Sequence, residues 1–332
     1  MKNILVTGGF GFIGFNAIIQ WKKIHPRLNL FNVDSETYAA KYLLPQKKKI
    51  LDSLNVKSFK EDIRNTDAME DIIVDNNIDT IVNFAAESHV DNSIKHPTIF
   101  FETNIIGAVN LLNLSRKYSL RFHQVSTDEV IGPISPEDET KDSTENAHFN
   151  PSSPYASSKA SAELIALSYF KTCNTRITIS RCTNNIGEWQ NPEKLVPKTI
   201  LNAIHCKNIP IYGNGRQRRF WIDVNSHNNA IFRILEHGKP GNIYNIAPNK
   251  NNLMTNLDLV HSILNSLNRP LDLIEHIKDR PAHDICYYLN GSKLEKELNW
   301  KDTIPFEKTL SRTIDFYRTF ALMDSGNSIN QD

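Results

Sequence analysis

The chain has 332 residues, of which 40% are hydrophobic and 23% charged, with a formal net charge of +1. That length and composition suit two domains, or one large α/β domain with an appendage. The balanced charge argues against a nucleic-acid partner, and no apolar run reaches membrane-spanning length. The basic triplet Lys47, Lys48 and Lys49 reads as a solvated loop. The start, Met1 to Val6, lacks the apolar region of a secretory leader. Four cysteines, Cys173, Cys182, Cys206 and Cys286, stand far apart with no CxxC. Their spacing fits a reduced, cytoplasmic environment and gives no support to a metal site.

Residues 2–7 form a short apolar strand that leads directly into Gly8, Gly9, Gly11 and Gly14. A helix to about residue 24 follows, opened by Phe12 and Ile13. Glycines between a strand and a helix let the backbone turn tightly and approach a pyrophosphate, whose charge the helix amides then hold. Asp34 closes the next apolar run, Leu30 to Val33. An acid there accepts from a ribose 2′-hydroxyl and repels a 2′-phosphate, so NAD is favoured over NADP. Asp62 and Ile63 end a further run and stand either in a simple turn or at the border of an adenine site. A helix over 66–77 precedes the strand 80–86, whose final Ala85 and Ala86 leave room for a nucleotide against the backbone. In the loop that follows, Ser88 and His89 are hydrogen-bonding candidates, and His89 is also a candidate acid. Residues 97–117 read as one long helix with two apolar faces, which suggests more than one packing neighbour.

The run Phe122 to Val125 has the length of a buried parallel strand, and at its carboxyl end stand Ser126, Thr127, Asp128 and Glu129. After a polar loop over 132–153, read as a surface or lid segment, Ser152, Ser153 and Pro154 open a helix. Tyr155 and Lys159 fall one turn apart on it, where an ammonium beside a phenol favours phenolate. Residues 176–181 give another strand, and beyond about 185 the strand–helix rhythm changes. A helix from 192 to about 206 and a short strand over 209–213 carrying Tyr212 belong there. Arg219 and Arg280 are the guanidinium candidates for a diphosphate, with ordinary surface pairing as the alternative. The fold class is therefore a Rossmann-type doubly wound parallel α/β sheet with a smaller mixed α/β lobe for substrate. Residues 1–184, completed by segments around 215–250, form the first part and 185–320 mainly the second. Residues 321–332 read as a disordered tail.

These segments together resemble the nucleotide-sugar branch of the extended short-chain dehydrogenases, and within it the dTDP-glucose 4,6-dehydratases. The resemblance rests on Thr7 to Gly14, Ala85 to Asp91, Ser126 to Val130, Ser152 to Ala160, Asn184-Asn185, Pro192 to Leu195, Pro210 to Gly213 and Asp279 to Asp284. It implies NAD as a recycled cofactor and a nucleotide sugar as substrate, with Tyr155 and Lys159 acting at the sugar 4-hydroxyl. Glu129 would remove the C5 proton, Asp128 would protonate the departing 6-hydroxyl, and Thr127 would orient the sugar. Asn184, Lys194, Leu195, Tyr212, Arg219, Asn245, Arg280 and His283 would contact the substrate, and the protein would be a homodimer joined through the 97–117 and Tyr155 helices. Ile131, Ile186, Phe220 and Ala247-Pro248 depart from the family pattern around the substrate, and Phe15 departs on the cofactor side. They leave open whether the nucleotide is dTDP or UDP. A sugar-nucleotide 4-epimerase, a UDP-glucuronate decarboxylase and a catalytically silent NAD sensor are the alternatives. The adjacent Asp128 and Glu129 would be idle in the first, and the acid is unneeded in the second.

Overall fold

A computed structural model describes residues 1–138, 140–248 and 250–327. Near-continuous apolar runs without alternation predict strands covered on both faces, and a parallel sheet is where such strands occur. Seven of them build the main sheet. In chain order they are β1 (Asn3–Thr7), β2 (Asn29–Asp34), β3 (Lys57–Lys60), β4 (Thr80–Asn83), β5 (Arg121–Thr127), β6 (Arg176–Cys182) and, after three strands that belong to smaller sheets, β10 (Asn242–Ile246). Their spatial order is β10-β6-β5-β4-β1-β2-β3, and every pairing is parallel. Alternation along β1 sends Ile4 and Val6 into one core with Trp21 and Ile231, and Leu5 into the opposite core with Leu111 and Phe122. The order reverses between β1 and β4, so the crevice for a ligand opens at the carboxyl ends of those strands.

The intervening strands are β7 (Asn184–Ile186), β8 (Ile209–Tyr212) and β9 (Arg218–Asp223), and β11 (Leu253–Thr255) and β12 (Ile274–Ile277) come last. They form two small sheets, β11-β9-β7 and β12-β8, around a third core containing Ile186, Ile200, Ile211, Leu259 and Ile314. β7 begins two residues after β6 ends, so this lobe grows from the carboxyl edge of the main sheet. Of the segment around 215–250, β10 joins the main sheet and the helix Val224–His237 packs on the helix Phe12–Ile24, while β9 stays in the small sheet.

Three local readings need correction. The stretch 97–117 is helical throughout but not uniform: Glu102–Gly107 is a π segment between Pro97–Phe101 and Ala108–Lys117. Lys47 belongs to the helix Leu44–Ser53 and is buried, so the basic triplet is not a solvated loop. The last helix, Phe306–Asn327, extends into the stretch expected to be disordered, and 328–332 lie outside the described residues. Among the described residues, no helix is long and apolar enough to cross a membrane.

The helix Pro154–Cys173 starts where the sequence signals say, with Ser153 Oγ accepting from Ala156 N at 3.1 Å and proline in the first turn. A buried ion pair ties it to the sheet: Arg181 of β6 donates Nε at 3.0 Å and Nη2 at 2.9 Å to Glu163 Oε2. Removing one partner of such a pair strands the other charge in the core. Glu163→Ala is therefore expected to cost about 3–5 kcal/mol in urea unfolding. A loss below about 1 kcal/mol, the range of a solvent-exposed pair, would contradict this assignment.

Candidate active site

β5 carries Ser126 and Thr127 to the edge of the main sheet, and its register with β6 sets Thr127 beside Cys182. The chain then makes one 3-10 turn, Asp128–Ile131, with the Thr127 hydroxyl capping it by accepting from Glu129 N at 3.3 Å. This turn holds two successive carboxyls in the cleft, with Thr127 Oγ1 donating to Asp128 Oδ1 at 3.1 Å. From the facing helix, the Tyr155 phenol stands near the Thr127 side chain, and Lys159 Nζ donates to Val125 O at 2.6 Å. The five expected catalytic residues thus line one cleft, with Gly8, Gly11, Phe12, Ile13 and Gly14 on its other wall.

Electrostatics separates the two carboxyls. Burial, reinforced by the charge of Glu129, pushes Asp128 up to about 7. Burial also raises Glu129, but three cations, Arg219, Arg280 and Lys194, oppose that rise. The cationic side of the cleft therefore favours charge on Glu129 and a proton on Asp128. Burial draws Lys159 down to about 8, with Glu163 and Cys182 opposing. The phenol departs from the sequence reading. Burial and the charge of Glu129 hold Tyr155 well above its ordinary value, and Lys159 spends its hydrogen bond on the Val125 carbonyl rather than on the ring hydroxyl.

The residues on the glycine side fit a dinucleotide. Gly8 has φ +70°, and a Cβ there would stand 2.7 Å from Ala85 N; one on Gly14 would stand 2.6 Å from Gly8 O. No side chain other than hydrogen can occupy that approach. The helix Phe12–Ile24 begins with no side-chain cap and no acid in its first turn, which keeps its N-terminal amides open to an anion. Asp34 accepts from Phe10 N at 2.9 Å and Glu36 N at 2.8 Å, which fixes the carboxylate at the end of β2. Asp34, Asp62, Ile63, Ala85 and Ala86 line the adjoining pocket. Burial opposes charge on Asp62, yet the bonds from Arg64 win and lower its pKa. Ser126 Oγ, Thr183 Oγ1, Asn185 Oδ1 and Gln190 Oε1 are buried without a hydrogen-bond partner among the described residues, and all four residues line the cleft. That is the chemistry of a wall built to meet a polar ligand.

On the lobe side, Asn184, Lys194 and Leu195 line the same cleft, and Lys194 Nζ donates at 3.3 Å to the carbonyl of Ser88, which lines it from the loop after β4. Behind it, Tyr212 donates to Asp91 Oδ2 at 2.8 Å, Arg280 stands 3.7 Å from Asp91 Oδ1, and the rings of Tyr212 and His283 meet edge-on at 6.0 Å. Arg219 Nη2 donates to Asp284 O at 3.0 Å, and its guanidinium lies over Tyr287. His89 is drawn down to about 4 by burial and by Lys194, which makes it a neutral imidazole rather than an acid.

Some expectations fail here. Asn245 does not line the cleft, nor do His89, Tyr212, Arg219, Arg280 and His283; the Asn245 amide donates to Ser143 O and Asn290 O and ties loops to the back of β10. Ile131, Ile186, Phe220 and Ala247 do not line it either. Ile131 and Ala247 belong to a small apolar cluster, Ile186 to the lobe core, and Phe220 packs on Tyr288. Phe15 is wholly buried, edge-on to Trp189, and away from the cofactor wall. Conversely Cys182, Thr183, Gln190 and Trp221 line the cleft without having been singled out as site residues, and Asn185 and Glu193 entered only within the segments that carry the resemblance. Cys182 and Thr183 carry a signal in the sequence, since they close a strand whose carboxyl end faces the crevice. Asn185 on β7, Trp221 on β9, and Gln190 and Glu193 in loops of the lobe have no such marker.

A family model described as GDP-mannose 4,6 dehydratase matches residues 5–313. The chain is 37% identical to a dTDP-glucose 4,6-dehydratase of Escherichia coli, over 95% of this chain and 93% of the relative. It superposes on the dTDP-glucose 4,6-dehydratase of Streptomyces venezuelae, solved with NAD bound, with TM-score 0.89 and 35% identity over 96% of this chain and 97% of that one. A Bacillus anthracis dTDP-glucose 4,6-dehydratase in complex with NAD gives TM-score 0.87 and 39% identity over the same shares. With its turn of glycines, its acid pair and its Tyr–Lys helix in one cleft, this chain belongs to the GDP-mannose 4,6-dehydratase family of nucleotide-sugar enzymes.

Proposed function

We infer that the protein is an NAD-dependent hydro-lyase that converts dTDP-glucose into its 4-keto-6-deoxy derivative. The observation that carries this reading is the adjacent pair Asp128 and Glu129 in a cleft shared with Tyr155, Lys159 and the glycine turn. NAD held by the glycine turn and Asp34 would supply reversible hydride acceptance with no net redox change.

The chain's own groups move the protons. Thr127 orients the sugar 4-hydroxyl, and Tyr155 takes its proton as C4 becomes a ketone, which requires that the phenol, raised by burial and by the charge of Glu129, is first ionised. Lys159, fixed on the Val125 carbonyl, keeps a positive charge beside that event. The ketone acidifies the C5 hydrogen, which Glu129 removes. Asp128 delivers its proton to the C6 oxygen, and the C6–O bond breaks with loss of water. Glu129 then returns a proton to C5, and before the next turnover Tyr155 releases its proton and Asp128 regains one by exchange with solvent. An epimerase needs only the Tyr–Lys redox pair and a decarboxylase has no 6-hydroxyl to expel, so neither accounts for a protonated Asp128. Lys194, Arg219 and Arg280 supply the positive charge that suits a diphosphate. The four free cysteines support a reducing, cytoplasmic setting. Exposed Phe101, Ile106 and Leu164, on the 97–117 stretch and the Tyr155 helix, support a homodimer through those helices.

Asp128→Asn and Glu129→Gln are expected to lower turnover roughly 10²- to 10⁴-fold, the range of a single positioned acid or base, while NAD and dTDP remain bound. Mass spectrometry of products from dTDP-glucose and UDP-glucose reads the loss of one water and decides the nucleotide. Full turnover in both variants would overturn the assigned roles. The pH dependence follows from the same carboxyls. Asp128 must keep its proton, so kcat/KM falls as pH rises through about 7. Glu129 must lose its own, so the acid limb lies above the ordinary carboxylate range. An alkaline limb that first appears above about pH 9 would be incompatible with Asp128 as the donor.

A further inference from the structure

Lys47 is among the largest fully buried side chains of the protein, 1% exposed, although it sits in a run of three lysines. Its ammonium donates to Phe10 O at 2.8 Å and stands 5.7 Å from the centre of the Phe15 ring. Phe10 lies between Gly9 and Gly11, inside the turn that faces the dinucleotide pocket. Its N–H donates to Asp34 Oδ2 at 2.9 Å. The same residue of the glycine turn is thus gripped at both polar backbone groups, by an acid from β2 on one side and by a cation from the helix Leu44–Ser53 on the other. The two gripping groups also act on each other: burial raises Asp34 and lowers Lys47 to about 8, and each opposes the other's shift. A neighbouring lysine shows the contrast. Lys49, on the same helix, is exposed.

We propose that Lys47 is a positioning residue for the dinucleotide, holding the Phe10 carbonyl so that the glycine turn and the Asp34 carboxylate keep the arrangement that receives pyrophosphate and ribose. Lys47 does not line the pocket, so it acts through Phe10 and Asp34 rather than by touching the cofactor. An uncharged side chain in its place leaves a buried carbonyl without its donor and a buried carboxylate without its counter-charge. Both defects fall on the groups that define the nucleotide site. The inference rests on reading that turn as the NAD site.

Calorimetric titration of the full-length protein with NAD tests it, alongside Lys47→Met, Lys47→Arg and Lys49→Met. Lys47→Met should weaken NAD binding roughly 10- to 100-fold, the fold-change equivalent to losing one charge-assisted hydrogen bond. Lys47→Arg should recover part of that loss, and Lys49→Met should match the unsubstituted chain. Equal affinity in Lys47→Met overturns the proposal. So does failure of every Lys47 variant, including Lys47→Gln, to fold, because that marks the ion as structural alone. If the unsubstituted chain itself binds no NAD, the cofactor reading fails, an outcome distinct from failure of the Lys47 role.

Discussion

Two neighbouring carboxyls, one of them wholly buried, cannot both carry charge cheaply. The rest of the site is arranged around that constraint. Three cations from the lobe, Lys194, Arg219 and Arg280, act on Glu129, whereas for Asp128 the main opposing charge is Arg219, and Glu129 itself raises it further. Charge settles on one carboxyl and the proton on the other, and an acid and a base result from neighbours of the same chemical type. Tyr155 belongs to the same balance. The charge on Glu129 raises the phenol, so the group that would take the 4-hydroxyl proton and the group that would take the C5 proton are coupled through space.

The topology explains how this coupling is held. The parallel sheet brings β5 to its end where the helix Pro154–Cys173 packs over it, and the Arg181–Glu163 pair fixes that helix against β6. The lobe grows from the end of β6, which sets its cations across the cleft from the sheet's acids. Catalytic acids from one body and the charges that differentiate them from another meet only when both are folded together.

The sequence was legible where chemistry and local geometry coincide. Glycines between a strand and a helix, an acid at the end of β2, and a tyrosine one turn before a lysine each carry their own structural reason, and Gly8, Asp34, Tyr155 and Lys159 lie in the walls expected of them. Long-range features were not legible. Lys47 looked like a solvated charge because nothing in a KKK run distinguishes the lysine that turns inward. Asn245 looked like a ligand-facing amide until β10 turned out to direct it at loop carbonyls. The departures at Ile131, Ile186 and Phe220 suggested an altered substrate wall, yet all three are absorbed by apolar packing. The π segment at Glu102–Gly107 has no marker in residue pattern, since a widened turn uses the same residues as the helix on either side.

The central claim is that Glu129 removes the C5 proton, exchanges it with solvent and returns one to C5, while Asp128 protonates the leaving oxygen. Turnover of dTDP-glucose in heavy water tests it most directly, with the product read by nuclear magnetic resonance. The account predicts one solvent-derived deuterium at C5 of the 4-keto-6-deoxy product, and no such incorporation into either substrate or product with Glu129→Gln. A dehydrated product from the unsubstituted enzyme that retains its original hydrogen at C5, or unchanged incorporation with Glu129→Gln, would contradict it.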